Sequence, residues 1–459
     1  MTDAPVDLAY RYGAPSRVEA EDSGLRLATS GGSTDQFDDV ANPFFFSGFV
    51  HHPQVVAAAL LVVAKVARTS FYVPPSAVAG IQNHDPVVTS TAEGLRFESF
   101  SGCCGVYARL DLLAEALDAS HFTTGVTNVD VNPELRRALA GVVAREPMHL
   151  AVGDDQLQVT TLDAEIVEER VPLPARWVKG FAEAQVAASG MTERHRLDAA
   201  ATVKFLASLP KSSPTGAVMW AVPALHSLRL AAKPAESAVS VAGPERLGIL
   251  APLARFATAL RAYGADATPL STPLASMWQL DLPGARFTIG LSPVKSRGFS
   301  GEGGLLASLA TGTAADDADI LRVLLAFEPR IEVAALARSA DLSQSRVVAA
   351  LAVLAASGQV GYDLTDRAYF HRPLPFDTRA AAVLNPRLAA ARRFQDSGSV
   401  AAQSDGSWLV GLAGREQRVA LDAHDGDHCS CTWYAAHRGS RGPCSHVLAA
   451  HIAAGATQS

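Results

Sequence analysis

The chain has 459 residues, 48% hydrophobic and 19% charged, a globular composition with apolar mass for several cores and domains. Its formal net charge of −7 excludes a surface that follows nucleic-acid phosphates throughout, so any DNA or RNA contact must be a local patch. No charged start leads into an apolar signal region, and the longest apolar run, Val55 to Ala64, is too short to cross a bilayer; a cytoplasmic protein without membrane contact is expected.

Residues 1–40 are rich in Ser, Gly, Asp and Thr and read as a loosely held arm. From Asn42 onward, Phe44, Phe45 and Phe46 form a core anchor. A helix is expected over 53–68, with strands over 86–89, 95–100 and 105–111. A helix near 133–143 and strands over 148–152, 156–161 and 166–171 complete an α+β domain over 41–190, in which Glu165, Glu168 and Glu169 read as a solvated face. The stretch Gly94-Leu-Arg-Phe-Glu-Ser-Phe-Ser-Gly-Cys-Cys-Gly-Val-Tyr-Ala-Arg-Leu-Asp111 has a helix before it and a helix with a three-strand meander after it. It resembles the strand–turn–strand of sliding clamps over residues 44–175. The resemblance rests on strand order and apolar positions, and the 53–68 helix departs from it: clamp pore helices are basic along one face, whereas this one has only Lys65 and Arg68 at its end. Cys103 and Cys104 read as structural thiols, because no histidine or carboxylate lies near them in sequence to activate them.

A second α+β domain is expected over 191–313. Helical character over 190–215 ends in the loop Pro210-Lys-Ser-Ser-Pro-Thr215. Strands near 219–222, 228–231 and 238–242, a helix over 245–263, and strands over 278–282 and 286–291 follow. The loop Lys295-Ser-Arg-Gly-Phe-Ser-Gly-Glu-Gly-Gly304 is glycine-rich but lacks the Gly-Lys-Ser/Thr ending of a phosphate-binding loop, and reads as a surface hairpin. Between 316 and 378, three helices and a two-strand hairpin are expected, the third helix over 346–356 being capped within Asp341-Leu-Ser-Gln-Ser345. This order resembles a winged helix. The resemblance implies groove insertion by the third helix with Gln344, Ser345 and Arg346 facing DNA, or a protein-contact version of the same module. A single arginine gives that helix little capacity to neutralise phosphate.

Five cysteines occur in the chain, and three of them fall in Cys429-Ser-Cys431, twelve residues, then Cys444-Ser-His446. A Cys3His set fills all four positions of a structural zinc. The Cys-x-Cys pair places two thiolates on one side of an extended segment, and Pro443 followed by Val447, Leu448, Ala450 and Ile452 suits a helix that carries the second pair. Free thiols or a redox pair are the alternatives; clustering in a chain with few cysteines favours metal. The pattern resembles the SWIM zinc finger over 398–455, with expected strands at 408–412 and 418–422 leading into the first pair. That resemblance implies a small ββα module over 395–459 with one structural zinc per chain on Cys429, Cys431, Cys444 and His446. It also implies contacts with DNA or with protein. His424, His428, His437 and His451 lie nearby and read as surface or supporting residues. The intervening loop offers Trp433, Arg438 and Arg441 as partner contacts, since aromatic and arginine side chains are the usual anchors of recognition.

No Ser/His/Asp order, dinucleotide fingerprint or paired-carboxylate motif occurs, and no small-molecule substrate is indicated. Arginine far outnumbers lysine, the usage of a high-GC bacterial genome. The sequence therefore reads as a multidomain α+β, non-catalytic, zinc-binding recognition protein that engages DNA or a DNA-associated assembly through 316–459. The alternative is a protein-interaction adaptor without nucleic-acid affinity.

Overall fold

A computed structural model describes residues 44–73, 86–171, 173–214, 216–310, 314–325, 330–372, 374, 385–412, 414–421 and 426–456, with the backbone of five short strands between Leu8 and Val40. The rest of the expected N-terminal arm lies outside the described residues. β1 (Phe44–Val50) leads into α1 (Pro53–Ala67), where Pro53 occupies a first-turn position whose missing N–H costs nothing. The run of Val, Ala and Leu that follows is buried on nearly every side. Next come β2 (Val87–Thr91), β3 (Gly94–Phe100), β4 (Val106–Leu113), β5 (Leu117–Phe122) and β6 (Gly125–Asn128). Then α2 (Pro133–Gly141), capped by Asn132, precedes the meander β7 (His149–Gly153), β8 (Gln156–Thr160) and β9 (Glu165–Glu169). The helix before the strand–turn–strand and the helix with three strands after it are thus present. Glu168 departs from the expected solvated face: it is buried and accepts the Asn132 N–H at 3.2 Å.

The second half repeats this plan in shortened form. β10 (Thr192–Asp198) runs into α4 (Ala199–Ala207), followed by β11 (Val218–Ala224), β12 (Ser227–Ala231) and β13 (Val239–Ala242). A 3-10 segment over Pro244–Phe256 then precedes β14 (Ala259–Gly264), β15 (Ser276–Leu282) and β16 (Ala285–Leu291). Two expectations are corrected here. Residues Thr192–Asp198 form a strand rather than the start of a helix, and Leu197 packs in the core beside Leu260. The helix expected over 245–263 is instead a 3-10 segment over Pro244–Phe256 with Pro252 inside it, where proline removes an α-helical donor, and β14 takes up the rest.

The two halves meet in one eight-stranded sheet ordered β6-β2-β3-β4-β16-β15-β14-β10, with β4 paired antiparallel to β16. A five-stranded sheet, β5-β1-β7-β8-β9, stands beside it. One face of the large sheet is an apolar rung, Val88, Phe97, Leu110, Phe287, Leu280 and Leu260, each paired across strands and buried against α1, α2, α4 and the 3-10 segment. The opposite face is polar. Glu98, Arg109, Thr288, Gln279 and Arg261 align across five strands, and Thr89, Arg96, Asp111, Arg286 and Asp281 align beside them.

That polar face is covered by the C-terminal half. α3 (Ala175–Ser189), which the sequence reading did not foresee, lays Trp177 and Phe181 against Phe100 and Tyr107. After α5 (Leu305–Leu309), α6 (Ala314–Leu325), α7 (Val333–Ala340) and α8 (Gln344–Ala356) comes a hairpin, β17 (Val360–Asp363) and β18 (Ala368–His371). This is the expected order of three helices and two strands. The hairpin is pinned by buried charge: Asp363 accepts hydrogen bonds from Arg96 at 3.1 Å and from Arg109, and Arg372 pairs with Glu98 at 2.7 Å. Burial alone would raise the Asp363 carboxyl, but Arg109 and Arg96 hold it well below the usual carboxylate range.

Candidate metal centre

The last 70 or so residues build a small unit of their own. α9 (Pro386–Asp396), a second helix absent from the sequence reading, is followed by a four-stranded sheet in sequential order. Its strands are β19 (Val400–Ala402), β20 (Trp408–Val410), β21 (Gln417–Ala420) and β22 (His428–Cys429). α10 (Thr432–His437) and α11 (Ser445–Ala456) close it. Cys429 ends β22, Cys431 caps α10, and Cys444 and His446 stand at the start of α11. Behind them Val410, Val419, Val447 and Leu448 form the core, joined by Leu388 of α9 and by Leu306 of α5, just after the glycine-rich loop.

The four side chains converge. One donor atom from each of Cys429, Cys431, Cys444 and His446 lies within 4.8 Å of the other three, and the three cysteines are buried. Zinc bonded at about 2.1–2.3 Å in a tetrahedron sets its donors roughly 3.5–3.8 Å apart, so this set fits the ion with small adjustments. Backbone N–H groups already face the sulfurs: Tyr434 donates to Cys431 Sγ at 3.4 Å and Val447 to Cys444 Sγ at 3.5 Å. Such bonds favour thiolates. A hydrogen bond from Cys429, with help from His446, brings the Cys444 thiol down to about 4, while that same donation and burial push the Cys429 thiol up. Three sulfurs this close ionise together only beside a cation. The His446 ring is stacked on Phe394 at 5.2 Å between centroids, which fixes its plane.

The other described histidines stay out of the cluster. His428 meets the Tyr434 hydroxyl at 3.0 Å, His451 pairs with Asp427 at 2.6 Å, and His437 rests against Trp433. His424 lies outside the described residues. Cys103 and Cys104 sit far off in the turn before β4, where burial raises the Cys104 thiol to about 11.

The proposed contact residues divide into two kinds. Arg438 is exposed, held in left-handed backbone conformation at φ 43°. Trp433 has the guanidiniums of Arg387 and Arg441 near its ring, at 4.9 and 4.8 Å from the centroid, a cation–π arrangement. Arg441 also donates to the Gly301 carbonyl at 3.1 Å, and Arg387 donates to the carbonyls of Arg441, Pro443 and Glu302. The glycine-rich loop is therefore a seat for the metal loop, not a free surface hairpin. Gly442, at φ 74°, abuts Gly303 so closely that a Cβ on it would stand 2.0 Å from the Gly303 carbonyl oxygen. Arg387 stands out in sequence only as one of several arginines in the C-terminal tract, and nothing local to its helix points to a loop 54 residues away. Arg346 is half exposed, with its fork closed on buried Asp317 at 2.5 and 2.9 Å.

No protein-family model and no curated relative matches the chain. Among solved structures it is similar to the crystal structure of Proliferating Cellular Nuclear Antigen from Entamoeba histolytica, at 10% identity and TM-score 0.36, over 54% of this chain and 98% of that one. It is also similar to a structure of the C-terminal region of FEN-1 bound to A. fulgidus PCNA, at 11% identity and TM-score 0.34, over 54% and 97%. Sliding clamps are thus among its structural neighbours. Superposition at this level establishes neither a shared fold nor a shared activity. No helix among the described residues is long and apolar enough to cross a membrane.

Proposed function

We propose that this chain is a zinc-structured, non-catalytic recognition protein that docks a protein partner, with its C-terminal unit a SWIM-type zinc finger. The observation that carries the reading is the closed Cys3His cluster. Four protein donors leave no position for a metal-bound water, so the ion supports structure rather than hydrolysis. Strands leading into Cys429 and Cys431, and a helix carrying Cys444 and His446, support the SWIM assignment. The order of α6, α7, α8 and the β17–β18 hairpin supports a winged-helix-like unit over 316–378.

A protein partner is favoured over a DNA groove by how that unit is spent. α8 is buried along most of its length, with α6 and α7 packed on it and α3 and α5 also against it. The hairpin is locked on the sheet by Asp363 and Arg372. The exposed start of α8, Gln344 to Arg346, carries one arginine, whose guanidinium is closed on Asp317, so helix and wing have little charge left to offer a duplex. DNA engagement is the second reading, and exposed Arg392, Arg393, Arg415 and Arg438 on the zinc unit favour it. Binding of the intact zinc-loaded protein to labelled duplex and single strands, followed over increasing salt, separates the two. Absent or salt-insensitive binding supports the adaptor; tight binding whose logarithm falls steeply with log salt overturns it in favour of DNA.

A further inference from the structure

The seat of the metal loop rests on a buried acid. Glu183 of α3 is 3% exposed, and its carboxyl accepts the N–H groups of Leu305, at 3.4 Å, and of Gly304. Those residues follow directly on Gly303, against which Gly442 lies. The carbonyls just before it, Gly301 and Glu302, receive Arg441 and Arg387. One carboxyl thus holds the far end of the segment that carries the metal loop. The docked arrangement is also incompletely satisfied. Oε1 of Glu183, Nε of Arg441 and the indole N–H of Trp433 are all buried without a hydrogen-bond partner. Each costs stability while the seat is closed, and opening to water would satisfy it.

The charges around Glu183 leave an ionised carboxylate poorly matched. The cations near it are Lys179, one turn earlier on α3, and Arg387 of α9, with Arg441 beside Lys179. Glu302 of the glycine-rich loop repels it and is itself closed on Arg297 at 2.5 Å. α5 carries no charge, and α8 only Arg346, which is closed on Asp317. Of the strands packed on α3, β17 brings Asp363, held by Arg109, and Tyr362, whose hydroxyl burial raises; β15 brings Asp281, held by Arg261. Burial outweighs these contacts and lifts the Glu183 carboxyl to about 7.

We propose that Glu183 is a proton-operated latch on the metal loop: protonated, it keeps residues 301–305 in place as the seat, and ionised, it drives that segment toward water and lets the loop go. In the closed seat the carboxyl keeps its proton up to about pH 7, whereas in an opened, hydrated segment it would ionise near its ordinary 4.5. Docking is therefore strongest below about pH 4.5, weakens as pH rises to about 7, and changes little beyond. The latch does not depend on what the zinc unit recognises. That release turns Trp433 and Arg441 toward a partner is a consequence that rests on the reading above.

Hydrogen exchange of the intact, zinc-loaded chain between pH 5.5 and 8.5 tests it, with each amide rate divided by its intrinsic rate at the same pH. Opening of 301–305 and of 438–442 should rise together, on the order of tenfold from pH 5.5 to 7, and level off by about pH 8. Glu183→Gln should hold both segments near the closed level throughout. Zinc content measured on the same samples should stay near one equivalent, which separates the latch from loss of metal. Should the variant fail to fold, the wild-type profile decides alone. The proposal is overturned by a flat wild-type profile, by opening at 301–305 that 438–442 does not follow, by opening that tracks zinc loss, or by an unchanged pH dependence in Glu183→Gln.

Discussion

Each of the four metal donors has a local reason to be where it is. Cys429 completes a strand, Cys431 caps a helix, and Cys444 opens another. Cys444→Ser removes one of the four donors, so elemental analysis should fall from about one zinc per chain to well below half an equivalent. A mutant that retains a full equivalent would contradict the ligand assignment. Glu183 on α3 is the other residue whose chemistry stands out. Burial lifts its carboxyl to about 7, although the Leu305 N–H donates to it. The folded value lies above the unfolded one, so the stabilising protonated form is complete below about pH 4.5, and stability falls as pH rises through about 7. Glu183→Gln should therefore raise stability at pH 8 on the order of 3 kcal/mol and flatten the profile between those values. Thermal melts of both proteins across that range check it, and parallel profiles would refute it.

At the scale of elements, the β17–β18 hairpin and the metal loop are both docked by arginines. Arg372 and Glu98 are almost completely buried, with the Tyr107 hydroxyl donating to the same carboxylate. Arg372→Ala strands Glu98 without its cation and should cost about 3–5 kcal/mol, whereas Glu98→Gln combined with Arg372→Met should recover much of it. Denaturant unfolding of the single and double mutants measures the difference. Gly442→Ala should free the metal loop from its seat without touching a zinc ligand, because its Cβ has no room beside Gly303 and φ is positive there. Faster proteolytic cleavage near 438–443 with unchanged zinc content is the expected result. The sequence carried the ligands, the strand-rich layout and the three helices with their hairpin, because spacing and apolar period are local signals. It did not carry α3, α9 or the seat of the metal loop. Trp177 and Phe181 of α3 find their partners only on the outer face of a sheet assembled from distant strands. Gly303 meets Gly442 only once two units dock. The inward Glu168 escaped because three glutamates in five residues look alike until strand alternation against α2 picks one out.

For the whole molecule, the metal unit is continuous with the rest. Its core takes Leu306 of α5 and the adjoining Ala310 from outside the unit. Stripping zinc with a chelator should therefore loosen the chain from about residue 385 onward while the two sheets keep their protection, since structural zinc supplies roughly 10–16 kcal/mol to small modules. Hydrogen exchange resolved by segment would show it, and early exchange in β1 to β9 would contradict it.

The pairing of β4 with β16 has a consequence during synthesis. β4 is buried along nearly its whole length, and its partner on that side ends at Leu291. The ribosome must add about 170 residues after β4 before β16 emerges, which at about 5–20 residues per second leaves an unpaired strand waiting for on the order of ten seconds or more. During that interval the first half carries an open, sticky edge in the middle of what will become its largest sheet. Chaperone capture of the nascent chain is expected to peak in that window and to end as the second half closes over it.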